Sequence, residues 1–133
     1  VLDKTQISDI SSLKELTGLM ILYLPRNQIS NICSLSQLRD LKNLDLSLNQ
    51  ISDIPSLKEM ESLKKLDIRY NKISRLPAEM LDLGLDIKWE YEYKKEGIFL
   101  DGNPLVDPPM EIILQGNAAI RHYFQSLPGN NRY

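Results

Sequence analysis

One asparagine recurs at a fixed interval, and the apolar residues around it recur with it. Asn27, Asn49 and Asn71 are 22 residues apart. So are Leu19, Leu41 and Leu63; Leu22, Leu44 and Leu66; and Leu24, Leu46 and Ile68. Ile29, Ile51 and Ile73 follow, then Ile32, Ile54 and Leu76. The unit reads L-x-x-L-x-L-x-x-N-x-I-x-x-I. Its L-x-L centre alternates as a strand with one buried side does. Its later apolar positions fall about three apart, as in a tight 3₁₀-like return segment. A unit this short cannot bury its own apolar side, so neighbours must stack into one continuous core. The predicted fold is α/β: a right-handed solenoid with a parallel sheet on the concave face, 3₁₀ turns on the convex side and a C-terminal helical cap. The skewed composition, 23 Leu and 14 Ile against 2 Val, follows from the repeat.

The asparagine has a physical reason to persist. Its amide both donates and accepts, so it can satisfy main-chain groups that an inward turn would leave buried and unpaired. Asn27, Asn49, Asn71 and the later Asn103 are therefore expected to form a structural ladder. Replacing Asn49 with Leu should cost about 1–3 kcal/mol.

The repeats are read over residues 1–108, about five units. The first is truncated: Leu2 aligns with Leu24 and Thr5 with Asn27. A first strand with an open side invites pairing. Two readings stand, a piece of a longer repeat protein or a short chain that self-associates through that strand. The fourth asparagine comes 32 residues after the third, ten more than the repeat allows. The excess is placed at 85–94, where Leu85, Ile87, Trp89, Tyr91 and Tyr93 alternate with charged residues as in an inserted strand or extended loop. After Pro108-Pro109 the spacing becomes three to four: Ile112, Gly116, Ala119, Ile120, Tyr123, Phe124 and Leu127. That pattern predicts an amphipathic capping helix over 109–127, divisible at Gly116-Asn117. Residues 128–133 read as a linker.

With this unit and these residues, the chain resembles leucine-rich repeats of the 22-residue, internalin-like kind. The resemblance implies a binding module for a protein or peptide, not an enzyme. A narrower likeness concerns roughly residues 83–127. Gly102-Asn103-Pro104-Leu105, Pro108-Pro109, Glu111-Ile112, Gln115-Gly116, Ala119-Ile120 and Tyr123-Phe124 resemble the junction that ends the repeats of prokaryotic Roco-family proteins. That likeness implies a regulatory or dimerisation domain ahead of a GTPase module. An extracellular internalin-like adhesion module is the other alternative. This chain carries no G-x-x-x-x-G-K-[ST] phosphate loop, so GTPase chemistry is not assigned to its residues.

Charge and composition narrow the partners. The net charge is −2, from 16 basic and 18 acidic residues. This gives no electrostatic case for nucleic acid or an anionic membrane. Lys64-Lys65 and Lys94-Lys95 are each flanked by acidic residues, which weakens a basic-patch reading. The longest run of non-aromatic apolar residues, Leu19 to Leu22, is far too short to span a bilayer. One Cys and one His build no disulfide or metal site, and no cofactor is expected. A cytoplasmic setting is the expectation.

The candidate partner surface is the outward side of the strands. Aligning the units brings Tyr23, Asp45, Asp67 and Phe99 into one column. Arg26, Leu48 and Tyr70 fall in another, with Arg69 and Lys65 beside Asp67. Tyr and Arg are favoured at binding hot spots. The expected surface has an acidic centre, Asp45 and Asp67, edged by basic residues and bearing the aromatics Tyr23, Tyr70 and Phe99. Two adjacent carboxylates also occur in glycosidases, but an open curved face with basic neighbours argues against catalysis. Trp89, Tyr91 and Tyr93 read either as an aromatic contact for a partner or as a group packed under the insertion. Packing is favoured because Trp is buried on average. His122 and Cys33 lack catalytic neighbours in sequence and read as ordinary side chains.

Overall fold

The computed structural model describes residues 8–55, 57 and 59–127. The short strands β1 (Ile21–Tyr23), β2 (Asn43–Asp45) and β3 (Lys65–Asp67) come from the L-x-L triplets. They pair in parallel at the sequence period, Leu22 opposite Leu44 and Leu44 opposite Leu66. The ladder continues past each strand through Leu24 N–H to Asp45 C=O and Leu46 N–H to Asp67 C=O, both 2.8 Å. Return segments at Ser11–Glu15, Cys33–Gln37 and Ala78–Leu83 are 3₁₀ helices on the convex side. The return between β2 and β3 has no helix of its own among the described residues. It keeps the equivalent turn, with Met60 N–H on Leu57 C=O at 2.9 Å as Leu38 N–H lies on Leu35 C=O at 3.1 Å. The repeated leucines and isoleucines between sheet and returns form one continuous core. The architecture is the solenoid that the period demands.

The asparagines line one edge of this core, all four buried. Asn49 Nδ2 donates to the carbonyls of Leu24, Leu46 and Ser47 at 3.0–3.1 Å, and its Oδ1 accepts from Ile29 N–H at 3.0 Å. Asn71 repeats this set one coil on, with Leu46, Ile68, Arg69 and Ile51 N–H. Asn49, Asn71 and Asn103 thus each tie their own coil to the one before. No buried side-chain polar atom among the described residues lacks a partner.

The fourth coil differs. The alternation over 85–94 produces a strand only at Ile87–Lys88, β4, and β4 does not follow β3 in space. Instead β5 (Gly97–Phe99) inserts between them, giving the order β1-β2-β3-β5-β4. Leu66 then faces Ile98, so the core register resumes. Beyond Trp89 the chain leaves the sheet and turns through 91–96. Tyr91 is half-buried against the face it crosses, while Tyr93 points outward. Alternation allows an inserted strand or an extended loop, and the segment is both: β4 has a strand partner on only one side among the described residues, and beyond Trp89 the chain has apolar surface to cover on the concave side.

The amphipathic pattern over 109–127 is carried by two helices, α1 (Met110–Ile113) and α2 (Asn117–Ser126). They break at Gly116, whose φ of 96° a side chain would resist. Ile113, Ile120 and Phe124 enter the common core and cover its open end. Asn117 secures the cap to the insertion: its Oδ1 accepts from Ile87 N–H and its Nδ2 donates to Leu85 C=O, both 2.8 Å. The truncated first unit (Leu2, Thr5), its open strand and the linker at 128–133 lie outside the described residues.

Candidate protein-binding face

The strands bury every second residue, so the intervening positions form the concave face. Tyr23 projects from β1, and Asp45 and Asp67 from β2 and β3 in register. Three residues further along, each coil must turn inward to place its asparagine. Arg26, Leu48 and Tyr70 make that turn with φ of 55–58°, a left-handed conformation unusual for side chains other than Gly, Asn or Asp. The turn aims all three outward. Leu48 and Tyr70 are each 45% exposed, and Tyr23 is 37% exposed.

Two expected members of the surface are placed differently. Phe99, aligned with Tyr23, Asp45 and Asp67, is fully buried. Its coil carries the insertion, and Tyr91 lies over it with ring centroids 5.1 Å apart. Phe99 is therefore core and presents nothing to a partner. Asp67 is only 3% exposed and is not an open acidic centre. Arg69 grips it with two side-chain bonds, Nε to Oδ1 and Nη2 to Oδ2, both 2.9 Å. These bonds hold the Arg69 guanidinium above its usual pKa, against the opposing effect of burial. A buried aspartate held this way by a guanidinium is structural.

Tyr91 gathers the basic residues of the face. The Arg69 guanidinium stacks on its ring at 4.1 Å, and Lys65 Nζ donates to its hydroxyl at 2.7 Å. Lys65 and Arg69 are thereby fixed rather than mobile. Asp45 is the carboxylate left for a ligand. Its Oδ1 accepts from Ser47 N–H and Oγ at 2.9 and 2.7 Å, and it makes no ion pair among the described residues. Between Tyr23 and Tyr91 lies a cleft of about 220 Å³ floored by Leu44 and bordered by Asp45, Lys65 and Asp67. Asp45 and Asp67 thus border one cleft, Asp67 buried and ion-paired with Arg69 and Asp45 hydrogen-bonded by Ser47. Trp89, Tyr91 and Tyr93 have three different fates: Trp89 packs against the core, Tyr91 closes over Phe99, and Tyr93 is 76% exposed.

Sequence reasoning missed a second feature. The two lysine pairs, discounted in sequence because each has acidic neighbours, come together in space. Lys42, Lys64 and Lys65 at the strand starts meet Lys94 and Lys95 of the insertion around one concavity. Two signals were available in the sequence: Lys42 and Lys64 are one period apart, and an insertion just before β5 must pass near the strand starts.

The fold and its repeating asparagine edge are those of a leucine-rich-repeat solenoid, and comparison with known proteins agrees on the fold. The leucine-rich-repeat family pattern matches residues 17–73. An internalin from Listeria monocytogenes is similar in structure over 75% of this chain, with a TM-score of 0.64 and 31% identity. Internalin C2 from the same organism is similar over 77%, with a TM-score of 0.64 and 32% identity. The chain spans 26% and 41% of those two proteins' lengths. No curated protein matches the sequence. Domains of this class generally mediate protein–protein interaction.

Proposed function

We propose that this domain is a non-catalytic binding module that presents its concave face to a protein or peptide partner. One observation carries the reading: Tyr23, Leu48 and Tyr70 stand exposed on a backbone that the asparagine ladder holds rigid. A monomer gains nothing from displaying them, whereas a partner that buries them gains contact area with little ordering cost. Arg26, Asp45 and Arg69 supply the polar rim.

The test is a triple substitution, Tyr23→Ala with Leu48→Ala and Tyr70→Ala, in the longest natural form of the protein. Capture of its partner should fall on the order of a hundredfold if these are hot-spot residues. Undiminished capture by a normally folded variant would remove the concave face from consideration.

A second reading places the domain ahead of a GTPase module of the same polypeptide, in a cytoplasmic protein. What favours it is the Gly102-Asn103-Pro104-Leu105 to Tyr123-Phe124 pattern. The likeness to two internalins instead favours an adhesion module outside the cell. The flanking coding sequence decides between them: a phosphate loop downstream supports the first, a signal peptide upstream the second.

A further inference from the structure

The concavity at the strand starts is separate from the exposed strand ends, Leu48 and Tyr70, and its chemistry is more specific. Met20, Lys42, Lys64 and Glu96 form one row along it, tied by Lys42 N–H to Met20 C=O, Lys64 N–H to Lys42 C=O and Gly97 N–H to Lys64 C=O at 2.7–3.0 Å. The insertion rises on one side and brings Tyr93, Lys94 and Lys95 over the row. Five lysines meet there against a single carboxylate, Glu96, in a chain whose net charge is −2. Charge has been segregated, which a near-neutral composition conceals.

The middle of this basic ring is apolar. Met20 and Ile21 are about half exposed, and Tyr93 is the most exposed large apolar residue of the described chain. Lys94 Nζ lies 5.6 Å from the Tyr93 ring, so the ring carries positive charge on its border. The concavity measures about 470 Å³, enough for one or two side chains.

We infer that this concavity is a docking site for an acidic peptide segment carrying an apolar or aromatic anchor. The anchor covers Met20, Ile21 and Tyr93, and Asp or Glu residues on either side meet Lys42, Lys64, Lys94 and Lys95. Charge complementarity selects an acidic occupant. The apolar centre selects a peptide over a nucleic-acid backbone, which has nothing to place against Met20 and Ile21. The concave floor selects it over a flat bilayer. The inference rests on the binding-module reading and names the partner chemistry for one part of the face.

The experiment uses a short fluorescein-labelled peptide of Asp and Glu with a central Trp-Leu pair. Binding to the whole chain is read by fluorescence anisotropy, and the site by amide NMR shifts. Saturable binding is expected, with shifts at 20–21, 42, 64 and 93–96. Raising the salt should weaken it. Lys42→Glu with Lys64→Glu should weaken it on the order of tenfold or more, and a peptide with Gly-Gly in place of Trp-Leu should bind several-fold less well. Absence of saturable binding overturns the inference, as do shifts confined to the strand ends at 48 and 70. So does tighter binding to phosphatidylserine vesicles or duplex DNA than to the peptide. If the lysine variants bind the peptide normally, the inference also fails. Loss of partner capture in Leu48→Ala with Tyr70→Ala would still uphold the broader reading, so the two failures are distinguishable.

Discussion

The three regular coils and the fourth share one core and one sheet but differ in what covers the concave side. In the regular coils the middle of each strand pairs Leu22 with Leu44 and Leu44 with Leu66, and the neighbouring outward residue is open at Tyr23 and half-open at Asp45, closing only at Asp67, next to the insertion. In the fourth coil Ile98 takes the same core position, yet the outward residue, Phe99, is buried. The insertion enters before β5, on the way from the convex to the concave side, where it disturbs neither the register nor the asparagine edge. It then crosses the face and closes it with Tyr91. A column of a repeat therefore specifies which way a side chain points. Exposure depends also on what lies above it, and that is set by residues outside the repeat.

The sharpest way to break this comparison is to truncate the same column in both regions. Phe99→Ala should cost about 4 kcal/mol, the usual penalty for emptying a buried aromatic site. Tyr23→Ala should cost within about 0.5 kcal/mol, as at most surface positions. Urea unfolding of both variants measures the difference. Similar losses would mean that Tyr91 does not close the fourth coil.

The asparagine edge offers the next test. Asn49 Oδ1 satisfies one buried N–H, that of Ile29, and each carbonyl it serves has a second donor. Asn103 Oδ1 accepts from both Asn71 N–H and Ile73 N–H, at 3.2 and 3.0 Å, and its Nδ2 also serves Leu100 C=O at 2.8 Å. Asn103→Leu therefore orphans more buried groups. It should cost about 3 kcal/mol against about 2 kcal/mol for Asn49→Leu. The reverse order in denaturant unfolding would show that the irregular coil relies on its asparagine less than the regular ones do.

What could be read in advance follows the same division. The 22-residue spacing of Leu22, Leu24, Asn27 and Ile29 determines strand, turn and core together, because a shift of one residue would expose the whole apolar set. Solenoid, register and asparagine edge were legible for that reason. The face was legible only where nothing crosses it, at Tyr23, Leu48 and Tyr70. Phe99 was misplaced because its cover, Tyr91, is eight residues earlier and has no counterpart in the other coils. The Asp67–Arg69 grip could have been suspected from their i, i+2 spacing on one side of a strand, but its burial under Tyr91 could not. The basic concavity was hidden because it joins residues more than fifty positions apart, Lys42 with Lys94 and Lys95.

A smaller effect separates the inward turns. Arg26, Leu48 and Tyr70 hold left-handed φ values with full side chains, whereas the fourth coil uses Gly102 at φ 82°. A Cβ on Gly102 would overlap the Tyr70 ring, which lies over it. Gly102→Ala should therefore cost about 1–2 kcal/mol and displace Tyr70 from its place beside Arg69 and Asp101. Leu48→Gly, relieving the same backbone strain without any overlap, should leave stability unchanged or raise it by about 0.5 kcal/mol. Thermal unfolding compares them. A loss at Leu48 equal to that at Gly102 would indicate that the left-handed turns are unstrained throughout.

The smallest effect lies in the cap at the irregular end of the solenoid. Tyr123 donates to Asp107 Oδ1 at 2.7 Å, joining α2 to the segment that leads into α1. This bond, with burial and the Asp107 charge, pushes the Tyr123 hydroxyl above its usual pKa of 10.0, while Arg75 pulls the other way. The folded value is raised, so the contribution is fully present below about pH 10, the unfolded value, and is lost as the pH rises through the folded one. Tyr123→Phe should cost about 1 kcal/mol at neutral pH. The difference between the two proteins should shrink above about pH 10, because there the native chain must either keep a proton that its unfolded form has released or place two anions together. A difference that stays constant from neutral to alkaline pH would mean that the cap is held by Ile120 and Phe124 alone, as the regular coils are held by their leucines.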